Sequence, residues 1–293
     1  MSKTVETQRA RARSRERAGT PGRAFAYPEP DRVRSESSLG ALWEHSRLQC
    51  GRLLLRWARD PATMIQALIY PALTLVMFRI VLGDSITAAT GYSSIFGTVP
   101  MIVLVGAMFG SVVSAVGLRT ERDSGLLSRF HTLPVHRSSG LVGRLMAEMV
   151  RVFVTSLVIF AAGMALGFRF TQGIGPTLLS LVVPLIFGLG FAMMVTALAT
   201  LPGRTPLVET VSILCTLLMF FNSGFVPVMA YPSWLQPVVA NQPMSCAIDT
   251  MRSLAMGGPI AEPFLKTVLW SAGMVAIFVL PAVVGYRRSA EQN

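Results

Sequence analysis

Two lysines, Lys3 and Lys266, are the whole of this chain's lysine complement, and neither stands in a GxxxxGK[ST] context. A loop of that kind cradles phosphates with its backbone and its lysine, so the chain has no nucleotide engine of its own. His45, His131 and His136 belong to no HExxH and face no acid at fixed spacing, and the abundant serines include no GxSxG. His131 and His136 read as loop contacts. Cys50, Cys215 and Cys246 are isolated, without CxxC spacing, which indicates neither a zinc site nor a disulfide framework. Cys50 and Cys215 read as apolar fillers, and Cys246 as an outward residue able to pair only with another chain. Catalytic residues and metal ligands are therefore expected to be absent. What remains is charge: Arg144, Glu148 and Arg151 fall on one helical face and predict an ion-pair joint near the inner end of a membrane helix. With Glu148 about two turns inside its span, no acid is expected at a midplane, where a proton-coupled carrier would hold one.

The most chemically loaded stretch is ERDSGLLSRFHTLPVHRSSGLVGR, between Arg119 and Arg144. Glu121, Arg122 and Asp123 offer charge at a helix start, Gly125 permits close approach of another backbone, and Leu126, Leu127 and Phe130 form an apolar ridge. Leu133 and Pro134 end the segment. A solvated loop accounts for the arginines but not for the ridge, so the segment is expected to enter a cleft on another protein.

The elements that must position these residues are mostly membrane. Of 293 residues, 52% are hydrophobic and 14% charged, against about a quarter charged in a soluble domain. The formal charge of +11 is a topology signal, because bases flank apolar runs and nowhere alternate with aromatics as a single-strand nucleic-acid binder requires. Residues 1–36 form a basic tail too poor in aliphatic groups to fold. Residues 37–60 predict an amphipathic helix, with Leu39, Leu42, Trp43, Ser46, Cys50, Leu53, Leu54 and Trp57 on one face and arginines on the other, suited to an anionic inner leaflet. Asp60 and Pro61 cap the next helix. Six apolar spans follow, at about 61–83, 98–118, 142–167, 176–200, 207–227 and 264–286. Lysine and arginine placement puts both termini, the 119–141 segment and the 289–293 end in the cytoplasm. Residues 228–263, divided by prolines, predict two short helices dipping into the outer leaflet. The fold expected is an all-α polytopic membrane protein in the plasma membrane.

The 119–144 segment, with its acidic-basic pair, glycine, leucines and LPVHR turn, resembles the cytoplasmic segment of the ABC-2 type exporter permeases. SGFVPVMAYPSWLQPVVANQPMSCAIDTMRSLAMGG is similar to that family's stretch before its last span. Within the family, RWARD at 56–60, LGFRFTQG at 166–173, AMGGP at 255–259 and GYRR at 285–288 look most like the daunorubicin-resistance subfamily. The resemblance implies a coupling helix and turn built from Glu121, Arg122, Asp123, Gly125, Leu126, Leu127, Phe130, Pro134 and Arg137, which meets a separate ATPase subunit. It implies ATP and Mg on that partner and no cofactor on this chain. It further implies a second permease subunit, a related chain or a second copy, and a lipid or amphiphilic drug as cargo, exported among membrane lipids with no nucleic acid involved. A cargo route between the two halves would be lined by Met108, Phe109, Met219, Phe220 and Phe221. The rival classes are an ion-coupled secondary transporter and a membrane-embedded lipid enzyme.

Overall fold

The computed structural model describes residues 38–90, 93–127, 135–136, 138–200 and 207–291, and every described residue lies in helix, turn or connecting coil. Leu39–Ala58 forms α1, started by Ser38, whose hydroxyl accepts from the Ala41 N–H at 3.2 Å. The expected Asp60 cap is present: its carboxylate accepts from the Thr63 N–H at 3.3 Å, with Pro61 at the first helical position. The helix that follows, α2, comprises Pro61–Met64, a π-helical turn Ile65–Ile69 and Tyr70–Thr90. The turn widens just before Pro71, which has no N–H to give to the carbonyl four residues back.

Then come α3 (Ile95–Asp123), α4 (Ser139–Ala165), α5 (Ile174–Thr200) and α6 (Leu207–Phe220). Two short helices, α7 (Gln236–Asn241) and α8 (Pro243–Met256), precede the long α9 (Ala261–Glu291). Five of these helices are long and apolar enough to cross a membrane: Pro61–Val81, Ile95–Asp123, Ser139–Ala165, Ile174–Thr200 and Ala261–Tyr286. The expected span at 207–227 is where the structure differs. Helix α6 ends at Phe220, seven residues before the expected Pro227, and its 14 described residues reach about 21 Å. Asn222 accounts for the early end, because its side-chain amide donates to the Leu218 and Met219 carbonyls while its oxygen accepts from the Gly224 N–H at 2.7 Å.

Helices α3 and α5 form the centre, with 56% of each span buried, whereas α2 and α9 form the rim with 11%. The core runs through Val99, Leu104 and Met108 of α3, Ile159 and Phe160 of α4 and Phe187 and Phe191 of α5. Small residues set the closest approaches. A Cβ on Gly190 would sit 2.9 Å from the Ser271 Cα, so α5 and α9 touch backbone to backbone there. A Cβ on Gly143 would lie 2.7 Å from both the Ser46 carbonyl and the Gln49 Cβ, which seats α1 directly on α4.

Helix α1 buries most of the face its pattern predicts, with Leu42, Leu53, Leu54 and Trp57 half-buried, but against the bundle and not in a leaflet. Ala41, Ser46 and Cys50 are buried against the bundle, while Trp43 and Leu39 are exposed. The segment before α9 holds two short helices, as its prolines predict, and α8 packs on α3, α5 and α9. Cys246 lies inside that packing at 2% exposure, and burial pushes its thiol up to about 11, so it is closed to the pairing expected from sequence.

Candidate functional site

Helix α3 ends at Asp123, where the Gly125 N–H reaches back to the Arg122 carbonyl at 2.9 Å with φ +69°, a left-handed turn that glycine adopts without strain. This places Glu121 in the last turn, where its side chain is 5% exposed. One carboxylate gathers three arginines from two other helices. Arg144 of α4 pairs with Oε2, while Arg52 and Arg56 of α1 reach Oε1 at 3.2 and 3.3 Å. Arg144 also donates to the Ser114 carbonyl at 3.0 Å. Glu121 is thus a buried hub pinning α1, α3 and α4 together.

That geometry changes the sequence-based assignments. Arg144 was expected to join Glu148 and Arg151, but it turns to Glu121, because a neighbouring helix supplies a better-placed carboxylate than its own helix does. Glu121 serves as an internal anchor, not as exposed charge, and Leu127 of the expected ridge is buried in the core cluster. Asp123 is exposed, and Arg122, Gly125 and Leu126 are half-buried. Phe130, Pro134 and Arg137 lie outside the described residues. Beyond them, the His136 N–H donates to His45 Nδ1 at 3.1 Å, a second tie from the segment to α1.

The remaining two members of the joint do pair. Glu148, 3% exposed, receives Arg151 and the Ser111 hydroxyl at 3.0 Å, and Arg151 also donates to the Gly110 carbonyl at 2.6 Å. Helix α4 starts at Ser139, earlier than expected, so Glu148 and Arg151 lie about 14 and 18 Å along it. Their partner Gly110 is near the middle of α3. The pair thus ties the middle of α3 to α4.

Beside it opens a cavity of about 410 Å³ between α1, α2, α3, α4 and α6, with Phe109 and Met219 in its wall. These are two of the five residues expected along a cargo route. Met108 points into the core at 0% exposure, while Phe220 and Phe221 are 60% and 43% exposed. Trp57, Arg52 and Arg56 were read as lipid-facing, and their place at the site is new. The repeat of bases one turn apart on α1 was the available signal, but nothing in one sequence pairs it with Glu121. Among the described residues no group of histidine, cysteine, aspartate and glutamate could hold a metal.

A family profile described as ABC-2 type transporter matches residues 48–256, from the middle of α1 to the end of α8. The chain is 44% identical over 243 residues to a probable doxorubicin resistance ABC transporter permease protein, DrrC, of Mycobacterium tuberculosis, covering 83% of this chain and 88% of the relative. It is 26% identical over 229 residues to a daunorubicin resistance ABC transporter permease protein, DrrB1, of Streptomyces coeruleorubidus, covering 78% and 80%. It is also 26% identical over 207 residues to a putative transport permease, ycf38, of Porphyra purpurea, covering 69% and 70%.

Proposed function

Because the chain belongs to the ABC-2 type transporter family, we propose that it is the multi-pass permease subunit of an ATP-driven exporter, working with a separate ATPase and a second permease subunit. The ATPase holds ATP and Mg, and this chain hydrolyses nothing. Its cargo is a lipid or amphiphilic drug, a reading supported by the relatives named for doxorubicin and daunorubicin resistance. Both termini and the 119–141 segment face the cytoplasm, in keeping with the excess of arginine at that end.

The observation that carries this reading is the Glu121 hub. A push on the segment beginning at Ser124 meets a carboxylate tied to α1 through Arg52 and Arg56 and to α4 through Arg144. Movement at one helix end is thereby delivered to three helices at once. Such a joint suits a protein that receives force from a partner. The buried Glu148–Arg151 pair is the one observation favouring an ion-driven carrier, yet Glu148 is already committed to Arg151 and Ser111. Transport in proteoliposomes containing the chain, its co-purifying ATPase and a fluorescent anthracycline decides between the two. ATP-dependent movement that persists without a proton gradient is expected. Movement that follows the gradient and ignores ATP, or ATP hydrolysis by this chain alone, overturns the proposal.

A further inference from the structure

Beyond Phe220 the backbone leaves the helix yet stays buried, with Asn222 at 0% and Ser223 at 3% exposure. Carbonyls freed at a helix end are costly at such depth unless protein satisfies them. From Leu218 to Ser223 each one accepts from a side chain. Asn222 serves Leu218 and Met219, and the Tyr231 hydroxyl is shared by Phe220 and Asn222 at 3.3 and 3.2 Å. Gln242 serves Phe221, and Arg252 Nη2 serves Ser223.

Helix α8 holds Ser223 by every polar group it has. Its N–H donates to Ser245 Oγ at 3.2 Å, and its hydroxyl to Asp249 Oδ1 at 2.8 Å, the same oxygen that receives Arg252 Nη1 at 3.1 Å. On the other side lies α3. A Cβ on Gly97 would collide with the Gly224 carbonyl, and one on Gly224 would lie 2.9 Å from Met101 Cβ, so the unwound segment rests directly on α3.

A helix C-terminus carries about half a negative charge, and in ion-driven carriers with broken helices such ends coordinate Na+ or H+. Here Arg252 takes that place with a cation fixed to α8, which cannot follow a gradient. Thr216 and Met219 of α6 stand in the wall of the 410 Å³ cavity, and Ser223 lies one turn beyond Met219. Whatever holds Ser223 therefore sets where α6 bounds that space.

We infer that Arg252 is a positioning residue, a tethered cation that holds the unwound end of α6 between α3 and α8 and closes the cavity at its outer end. The inference rests on the export reading for which end is outer and for its part in transport, while the clasp itself stands apart from it.

The test uses the full-length protein in nanodiscs, in buffer free of alkali cations, with a water-soluble maleimide and peptide mapping. Cys215 of α6 is the reporter, and Cys50 of α1 the control at the other end. Arg252→Ala is expected to speed Cys215 labelling about ten- to hundredfold, the weight of a hydrogen bond to a charged group, and to leave Cys50 slow. Asp249 and Arg252 are 32% and 34% exposed, so added guanidinium can reach the vacated place. Guanidinium at a non-denaturing concentration should restore protection, and tetramethylammonium at equal concentration should not. Tyr231→Phe, which removes one neutral donor, should speed Cys215 about two- to tenfold without a guanidinium response, and it carries the first arm if Arg252→Ala does not fold. Unchanged Cys215 labelling, equal acceleration of Cys50, or equal effects of the two cations overturns the inference. With the co-purifying ATPase, Arg252→Ala should lower the anthracycline moved per ATP hydrolysed, and guanidinium should raise it again. Cation-restored protection without ATP-driven transport removes the export reading and leaves the clasp. ATP-driven transport with labelling indifferent to Arg252→Ala does the reverse.

Discussion

Replacing Glu121 by glutamine separates two consequences of losing one charge. Arg144 is 5% exposed, so without the carboxylate it becomes a buried cation with the Ser114 carbonyl as its described partner. Breaking a buried pair from one side costs about 3–5 kcal/mol. Arg52 and Arg56 are 35% and 59% exposed, and each loses a pair worth about 0.2–1 kcal/mol. The first loss falls on the whole bundle and the second on the hold of α1, so detachment of α1 should become about two- to thirtyfold easier. The buried thiols report both: Cys50 lies in α1, and Cys246 in α8. In detergent micelles with a thiol-reactive dye and peptide mapping, Glu121→Gln should lower the melting midpoint and speed Cys50 labelling beyond that of Cys246. Adding Arg144→Met should restore much of the midpoint, since no buried charge is stranded, yet leave Cys50 fast, because Arg52 and Arg56 still lack the Glu121 charge. Equal acceleration of Cys50 and Cys246 refutes the pinning of α1 through Glu121. A double variant no more stable than the single one refutes the cost assigned to Arg144.

Gly143→Ala should force α1 off α4, because its new methyl meets the Ser46 carbonyl and Gln49 Cβ at 2.7 Å; about 1–3 kcal/mol of overpacking is expected, read as faster Cys50 labelling, with Gly117→Ala in open space as the control. At the opposite end, burial holds the Asp249 carboxyl above its ordinary range, against the opposing pull of Arg252 and the Ser223 hydroxyl. A raised carboxyl favours the folded state while protonated, so its contribution is full below about pH 3.9 and is lost as pH rises through the raised value; Asp249→Asn should flatten that stretch of the melting-midpoint profile.

The sequence by itself determined the class of the molecule and the order of its parts. Runs of apolar residues fix helices that must cross lipid, and Asp60 with Pro61 fixes where α2 begins, because these effects are local to a few turns. Gly125, read as a point of close approach for another backbone, also makes the left-handed turn after α3, which the sequence reading did not include. Locality failed where a side chain chose among partners. Arg144 stands one turn from Glu148 yet bonds to Glu121, and Arg52 and Arg56 look like lipid-facing bases until α1 is laid on α4. Helix α6 stops early because Asn222 reaches back to its last carbonyls, a competition that apolar periodicity does not register. Only the tertiary structure could bring Glu121 to Arg52, 69 positions away in sequence, and set Trp57 and Arg151 around one cavity. The physical reason is that ion pairing and cavity shape depend on distances between helices, and a linear pattern specifies only which face each helix offers.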